Sequence, residues 1–230
     1  WRLTATSAPV LAGNDRVRRE LLRQSEIKDY ILESVTGEDF VALVIVDGLS
    51  YETVRSLNFD VHPVVVDGVT TTAPGFRRVI YGGDSVSLYA ELTSKGFYTG
   101  YGFTYWNRGQ EDLSTDLHSG LGQHVHRIRD FDKAISTLRA DRPFDDKVYV
   151  QITRMGMDQD SHNRKEEPNR GAVRDDIVAD IRRLADLAND ISDNSRILVT
   201  ADHGILWRDD LPDNPPVVYN EWADHARFLD

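Results

Sequence analysis

The chain has 230 residues, 40% of them hydrophobic and 28% charged, which suits one large α/β domain or two small ones with a sizeable core. It contains no cysteine, which excludes disulfides, thiolate nucleophiles and cysteine-ligated zinc, so any metal must be held by histidines and carboxylates. The net charge of −11 argues against nonspecific binding to nucleic acid, and no apolar run reaches the roughly 18 residues of a membrane span, so we expect no membrane partner.

The first elements alternate between helix and strand. Residues 14–34 carry apolar side chains at helical spacing and predict an amphipathic helix, with Asn14 as its cap. The run FVALVIVDG (40–48) is typical of a strand buried on both faces, and HPVVVDG (62–68) predicts a second strand. The chain starts at Trp1 without a signal pattern, which indicates an excised domain; for this domain we expect a cytoplasmic location.

The alternation of predicted strands and helices continues to residue 201. Residues 107–127 are polar and Gly-rich and predict a loop or insertion. The further predicted helices cover 73–83, 84–95, 130–140 and 170–191, and the further predicted strands cover 96–106, 147–153 and 195–201.

This order predicts an α/β fold with a mostly parallel central sheet and helices on both faces. We expect residues 1–39 to form a helical segment of the same domain, and residues 40–230 to form its main body. In such folds, ligands bind beyond the carboxyl ends of the strands.

Acidic and imidazole side chains stand at three of those strand ends. Asp47 follows the first strand, Asp158 and His162 follow strand 147–153, and Asp202 and His203 follow strand 195–201. Each has a simpler interpretation as a turn, a helix cap, a polar loop or a surface pair. Together, however, clustered carboxylates repel one another unless a cation offsets them. Histidine and aspartate without cysteine suit zinc, manganese or iron.

A candidate nucleophile lies in TTTAPGFRR (70–78), between the second strand and a Pro-led helix. A hydroxyl there stands at a helix N-terminus, which favours an anion, and a metal could activate it. The alternative is a Thr-rich capping loop. Arg77 or Arg78 in the same helix could contact a substrate oxygen or simply face solvent.

Taken in order, these motifs resemble the alkaline phosphatase-like superfamily. The stretches LVIVDGLSYE (43–52), TTTAPGFRRVIYGG (70–83) and ILVTADHGIL (197–206) look most like the PglZ-domain family, which occurs in phage-defence systems and some response regulators. The resemblance covers about residues 40–230. It implies the three-layer sandwich of that superfamily and a site with two divalent metal ions, conventionally zinc, with manganese as the alternative.

The resemblance also implies a role for each matching residue. Thr72, two residues before Pro74, matches the nucleophile position. The implied ligands are Asp47, Thr72, Asp202 and His203 for one metal, and Asp158, His162 and His225 for the other. The assignment of His225 has rivals in His62, His118, His124 and His126; His62 is expected to be structural, and the loop 118–126 to lie on the surface.

The implied activity is hydrolysis of phosphate esters, most closely a phosphodiesterase acting on nucleotide-type substrates. The sequence is shorter than most catalytic members, and we expect no large cap domain within it. An alternative is therefore a non-catalytic or weakly active PglZ-type module with protein partners in a phage-defence or signalling assembly.

Overall fold

The fold is built from alternating strands and helices, as predicted. The computed structural model describes residues 21–105, 125–128, 130–141, 146–158 and 169–205. In chain order, the elements are β1 (Leu22–Arg23), a 3-10 turn (Gln24–Glu26), α1 (Ile27–Ser34), β2 (Phe40–Val46), α2 (Tyr51–Val54), β3 (Val64–Val65), α3 (Thr72–Tyr81), α4 (Leu88–Ser94), β4 (Phe97–Tyr105), β5 (Val125–Arg127), α5 (Phe131–Ala140), β6 (Lys147–Arg154), α6 (Arg170–Ile191) and β7 (Ser195–Ala201).

Five of these strands form one parallel sheet in the order β5-β4-β6-β2-β7. Strand β2 lies between β6 and β7 and is buried along its whole length. Its continuous apolar sequence follows from this position, because both faces of the strand are covered.

Helices cover both faces of the sheet. Side chains of β2 alternate between two hydrophobic clusters, since successive residues of a strand point to opposite faces. Val41 and Leu43 pack with α1, α3 and α4, whereas Ala42 and Val44 pack with α5 and α6. The architecture is thus a three-layer α/β sandwich, in agreement with the predicted fold class.

Side-chain caps set where helices α5 and α6, which cover the same face of the sheet, begin. The carboxylate of Asp130 accepts a hydrogen bond from the backbone N–H of Lys133 at the start of α5. The side chain of Asn169 does the same for Ala172 at the start of α6, which runs over the 22 residues that the periodicity indicated. Throughout the part of the chain that the structure describes, no helix is both long and apolar enough to cross a membrane.

Two predicted elements are corrected near the N-terminus. The helix predicted over 14–34 begins only at Ile27; β1 and the 3-10 turn precede it, and residues before 21 lie outside the described part. The strand predicted over 62–68 is reduced to the two residues of β3, which pair with β1 outside the main sheet. The cause is tertiary, since the buried side chain of Gln24 bonds to backbone oxygens at the end of β7 and holds this segment out of a helix.

Two further differences concern short elements. Helix α2 was not predicted, since a helix of four residues carries too little periodicity to recognise. Residues 125–127, predicted as part of a loop, form strand β5 at the sheet edge beside β4.

The register of the central strands sets the geometry of the site. Val46 of β2 lies opposite Arg154 of β6 on one side and Ala201 of β7 on the other. The three strands therefore end at the same level. The residues that follow them, Asp47 and Asp202 among them, meet at one edge of the sheet.

Candidate metal centre

Three side chains from three strand ends converge at this edge. Possible ligand atoms of Asp47, Asp158 and His203 all lie within 4.8 Å of one another. The Nε2 atom of His203 lies 3.6 Å from Asp47 Oδ1, 3.9 Å from Asp158 Oδ2 and 3.6 Å from Asp202 Oδ2. The side chains of Asp47 and His203 are each 4% exposed, so these two are almost entirely removed from solvent, whereas that of Asp158 is 16% exposed.

At 3.6 Å or more, these separations are too long for hydrogen bonds. They fit a shared cation better. Ligands about 2.1 Å from a tetrahedral zinc ion stand roughly 3.4 Å from one another. Two of the three His203 distances, both 3.6 Å, lie close to that value. The donor set of one imidazole and several carboxylates also suits zinc or manganese.

Two buried polar atoms of the cluster support the same conclusion. Among the described residues, neither Asp202 Oδ2 nor His203 Nε2 has a hydrogen-bond partner of normal geometry. A buried polar atom without a partner costs about 1–3 kcal/mol, so native proteins rarely leave two side by side. These two atoms lie 3.6 Å from one another, so one cation between them would satisfy both.

The hydrogen bonds of His203 prepare it as a ligand. Its Nδ1 atom lies 3.1 Å from the backbone oxygen of Gly204. A carbonyl oxygen can only accept, so Nδ1 carries a proton and Nε2 is the ring nitrogen available to a metal ion. Nε2 lies 3.6 Å from a carboxylate oxygen of Asp47 and from one of Asp202. This is the arrangement of a histidine ligand oriented by a backbone carbonyl.

Asp202 is oriented by the backbone. Its Oδ1 atom accepts hydrogen bonds from the N–H groups of Gly48, at 3.0 Å, and His203, at 2.8 Å. These bonds leave Oδ2 facing the site. Gly48 has a positive φ of 68°, and a Cβ there would lie 2.9 Å from that of Asp158. The Asp47-Gly48 pair is thus both a turn and part of the site, because only glycine allows this conformation and approach.

The electrostatics of the cluster are those of excess negative charge. Burial, together with the charges of Asp202 and Asp158, raises the pKa of Asp47 to about 8. Burial also raises the pKa of Asp202 to about 7, although the N–H groups of Gly48 and His203 oppose this effect. At neutral pH, the metal-free cluster therefore retains protons that a divalent cation would displace.

Thr72 reaches the same cluster from α3. It is the first residue of the helix, after Thr71 in an extended conformation. Its hydroxyl donates a long hydrogen bond of 3.4 Å to Asp47 Oδ1. The start of α3 can approach this closely because of Gly75, where a Cβ would stand 1.8 Å from the backbone oxygen of Asp202. The Thr-rich loop therefore carries more than a cap: it brings a hydroxyl to the carboxylates.

Five of the seven predicted ligands are thus brought together: Asp47, Thr72, Asp158, Asp202 and His203. His162 and His225 lie outside the described residues, as do His118 and His124.

The two described rivals of His225 lie in other surroundings. His62 is 53% exposed and pairs with Asp60 at 3.1 Å, and the ring of His126 stacks on Phe103 with centroids 5.1 Å apart.

The two arginines considered for substrate contact make other interactions. The Nε atom of Arg78 donates to Gln24 Oε1 at 2.9 Å, and its Nη2 donates to the backbone oxygen of Val69. Arg77 is exposed, with its guanidinium 6.0 Å from the ring centre of Tyr81. Gln24 was not recognised from the sequence, because a glutamine within an apparently amphipathic segment carries no signal of a long-range contact.

A buried ion pair lies behind the end of β6. The Nε atom of Arg154 donates to Asp180 Oδ2 at 2.7 Å, and both side chains are less than a tenth exposed. Arg154 also donates from Nη1 to the backbone oxygen of Met155 at 2.6 Å. Its own backbone oxygen accepts the N–H of Asp47 at 2.9 Å. The Arg154–Asp180 pair therefore holds the end of β6 in place. That strand end bonds to the backbone of Asp47 and leads along the chain to Asp158.

Comparisons with known proteins do not assign the chain to a family. No protein-family model matches it, and neither does any curated protein. The likeness to the alkaline phosphatase-like superfamily stays a prediction from the motifs. The function must be argued from the geometry of the site itself.

Proposed function

We propose that this chain is a metal-dependent hydrolase of phosphate esters, most closely a phosphodiesterase, of the PglZ type within the alkaline phosphatase-like superfamily. The observation that carries the proposal is the convergence of a hydroxyl, three carboxylates and one imidazole in a buried cluster at the strand ends. A cation would satisfy the unpartnered atoms of this carboxylate-rich cluster, and a hydroxyl beside that cation could act as a nucleophile.

The residues that would hold metal divide into two groups. Asp47, Asp202 and His203, with the Thr72 oxygen, would hold one divalent ion, most simply zinc. Asp158 would hold a second ion, with His162 and His225 from the motif order as its other ligands. When bound, these ions supply positive charge that draws in a phosphate group, lowers the pKa of a hydroxyl and stabilises the leaving oxygen.

Thr72 is the proposed nucleophile. Its oxygen would attack phosphorus in line, the bond from phosphorus to the leaving oxygen would break, and a phosphothreonine would form. The proton of the threonine hydroxyl would pass through solvent to the leaving oxygen, which departs as the alcohol. Water would then attack that phosphorus and release Thr72. Asp47, which accepts the hydrogen bond of the threonine, would hold its hydroxyl in one orientation for the attack. The first turn of α3 would add backbone N–H groups, which favour an anion at a helix N-terminus.

Zinc-dependent turnover of a simple phosphodiester tests this function. The chain should hydrolyse bis-(p-nitrophenyl) phosphate after loading with zinc or manganese, and a chelator should abolish the activity. Asp202→Asn should lose most of the activity because it removes a charged ligand. Asp186→Asn is the matched control, since Asp186 is exposed on α6. Metal binding without turnover of any phosphate ester would instead support the non-catalytic module.

A further inference from the structure

The segment before α1 carries a buried glutamine that contacts the backbone at Asp202, in the candidate metal centre. Gln24 is 1% exposed and lies in the 3-10 turn between β1 and α1. Its Nε2 group donates to the backbone oxygens of Ala201, at 3.2 Å, and of Asp202. The glutamine therefore holds the end of β7 at the point where the chain turns into the site.

Arg78 determines how this amide is oriented. Both backbone oxygens can only accept, so the NH₂ group of Gln24 must face them and its Oε1 must face the other way. Oε1 accepts a hydrogen bond from Arg78 Nε at 2.9 Å. An arginine has no acceptor atom, so this contact excludes the flipped amide.

The same guanidinium reaches the loop that carries Thr72. Arg78 Nη2 donates to the backbone oxygen of Val69, three residues before Thr72. Gln24 and Arg78 thus form a continuous chain of hydrogen bonds from the loop before α3 to Asp202. The two ends of this chain are the proposed nucleophile's loop and a proposed metal ligand.

The turn that carries Gln24 is itself anchored. The backbone N–H of Ser25 donates to Asp67 Oδ1 at 3.2 Å, and its hydroxyl donates to the other oxygen of that carboxylate. β1 pairs with β3 immediately before the turn. These contacts fix the backbone of Gln24. Its side chain therefore sets the distance from that backbone to the oxygens of Ala201 and Asp202.

We propose that Gln24 and Arg78 are positioning residues that set the distance between Thr72 and Asp202. This inference rests on the proposed function. Neither residue touches the reacting atoms; each acts through backbone oxygens. Losing such supporting contacts typically costs about 10–100-fold in metal affinity or activity.

The test compares Gln24→Met, which keeps the shape but removes both hydrogen-bonding ends, with Arg78→Met and Arg78→Lys. Arg182→Met is the control, because Arg182 is an exposed residue of α6. Zinc affinity, measured by competition with a chromophoric chelator, should fall about 10–100-fold in both methionine variants. Turnover number should fall with KM little changed, and Arg78→Lys, which keeps one donor, should recover part of the loss.

Amide hydrogen exchange gives a readout that needs neither metal nor activity. The N–H groups of Gly48 and His203 donate to Asp202, so their exchange should speed up selectively in Gln24→Met, while that of Leu184 in α6 stays unchanged. Equal acceleration at all three amides, or unchanged exchange at Gly48 and His203, would overturn the positioning role. If the wild type binds zinc but hydrolyses nothing, the proposed function fails while this exchange result still decides the inference.

Discussion

Replacing Asp47 by asparagine should stabilise the metal-free protein at alkaline pH. The carboxyl group of Asp47 is buried beside Asp202 and Asp158, and burial raises its pKa from 3.8 to about 8. In the unfolded chain, the same group ionises near its ordinary value. At a pH between these two pKa values, the folded protein holds a proton on Asp47 that the unfolded chain has lost. The free energy of unfolding therefore falls as the pH rises through this range.

The magnitude follows from that pKa. One pKa unit corresponds to about 1.4 kcal/mol, so a pKa of about 8 corresponds to roughly 6 kcal/mol at a pH above both values. Asparagine does not recover all of this, because its amide oxygen is a weaker acceptor for the Thr72 hydroxyl than a carboxylate, by about 1 kcal/mol, and because Asp202 shares the repulsion. We expect Asp47→Asn to be more stable by roughly 2–4 kcal/mol at pH 8.5 and about equal to the wild type at pH 5.

Urea unfolding in the presence of a chelator, at several pH values, measures this difference. Zinc should reverse the order. At a free concentration about 100 times its dissociation constant, zinc should stabilise the wild type by about 2.7 kcal/mol and the variant by much less. Asp186→Asn controls for the loss of a surface charge. A metal-free Asp47→Asn that is less stable than the wild type at pH 8.5 would refute the electrostatic argument.

Three further predictions address the nucleophile, the second metal and the buried ion pair. Thr72→Ala should lower phosphodiester turnover by roughly 10³-fold or more at equal metal loading, whereas Thr72→Ser should keep part of the rate. His225→Ala should empty the site that contains Asp158 while the other metal stays bound, as measured by elemental analysis. Asp180→Ala should lower the free energy of unfolding by about 3–5 kcal/mol, because it leaves Arg154 buried without its carboxylate.

Each of these predictions has a matched comparison. Thr71→Ala should be comparatively mild, and a Thr72→Ala variant near wild-type activity would exclude covalent catalysis by Thr72. If His124→Ala rather than His225→Ala removes the second metal, the loop supplies that ligand. Asp132→Asn breaks an exposed contact with Arg183 and should cost less than about 1 kcal/mol; a similar cost for Asp180→Ala would contradict the burial argument.

The local sequence pattern was sufficient to predict strand β2 and helix α6. The apolar run 40–46, which ends in Asp-Gly, is typical of a strand covered on both faces, and the apolar spacing over 170–191 predicted α6 with its limits. Strands alternating with helices predicted the parallel sheet, and hence the strand ends as the location of a site. Asp47, Asp202 and His203 were identifiable on this basis because each directly follows such a strand.

Strand order and packing decided what the pattern left open. The sequence placed three acidic groups at strand ends, but only the order β6-β2-β7, with its register, brings them within ligand distance of one another. Likewise, the resemblance to the alkaline phosphatase-like superfamily implied Thr72, and the close approach of α3 at Gly75 delivers its hydroxyl to Asp47. These distances depend on residues far apart in the chain, which periodicity cannot report.

The N-terminal segment shows most clearly what the sequence pattern could not predict. Its apolar spacing favoured one long helix, yet the chain before Ile27 forms β1 and a 3-10 turn instead. Helical spacing records only which residues are apolar and could bury a face together. It does not record that Gln24 finds partners at Ala201, Asp202 and Arg78, more than fifty residues away. The sequence alone determined the layers of this protein. Tertiary hydrogen bonds decided the conformation of the segment around Gln24, because a buried amide must be hydrogen-bonded wherever its partners lie.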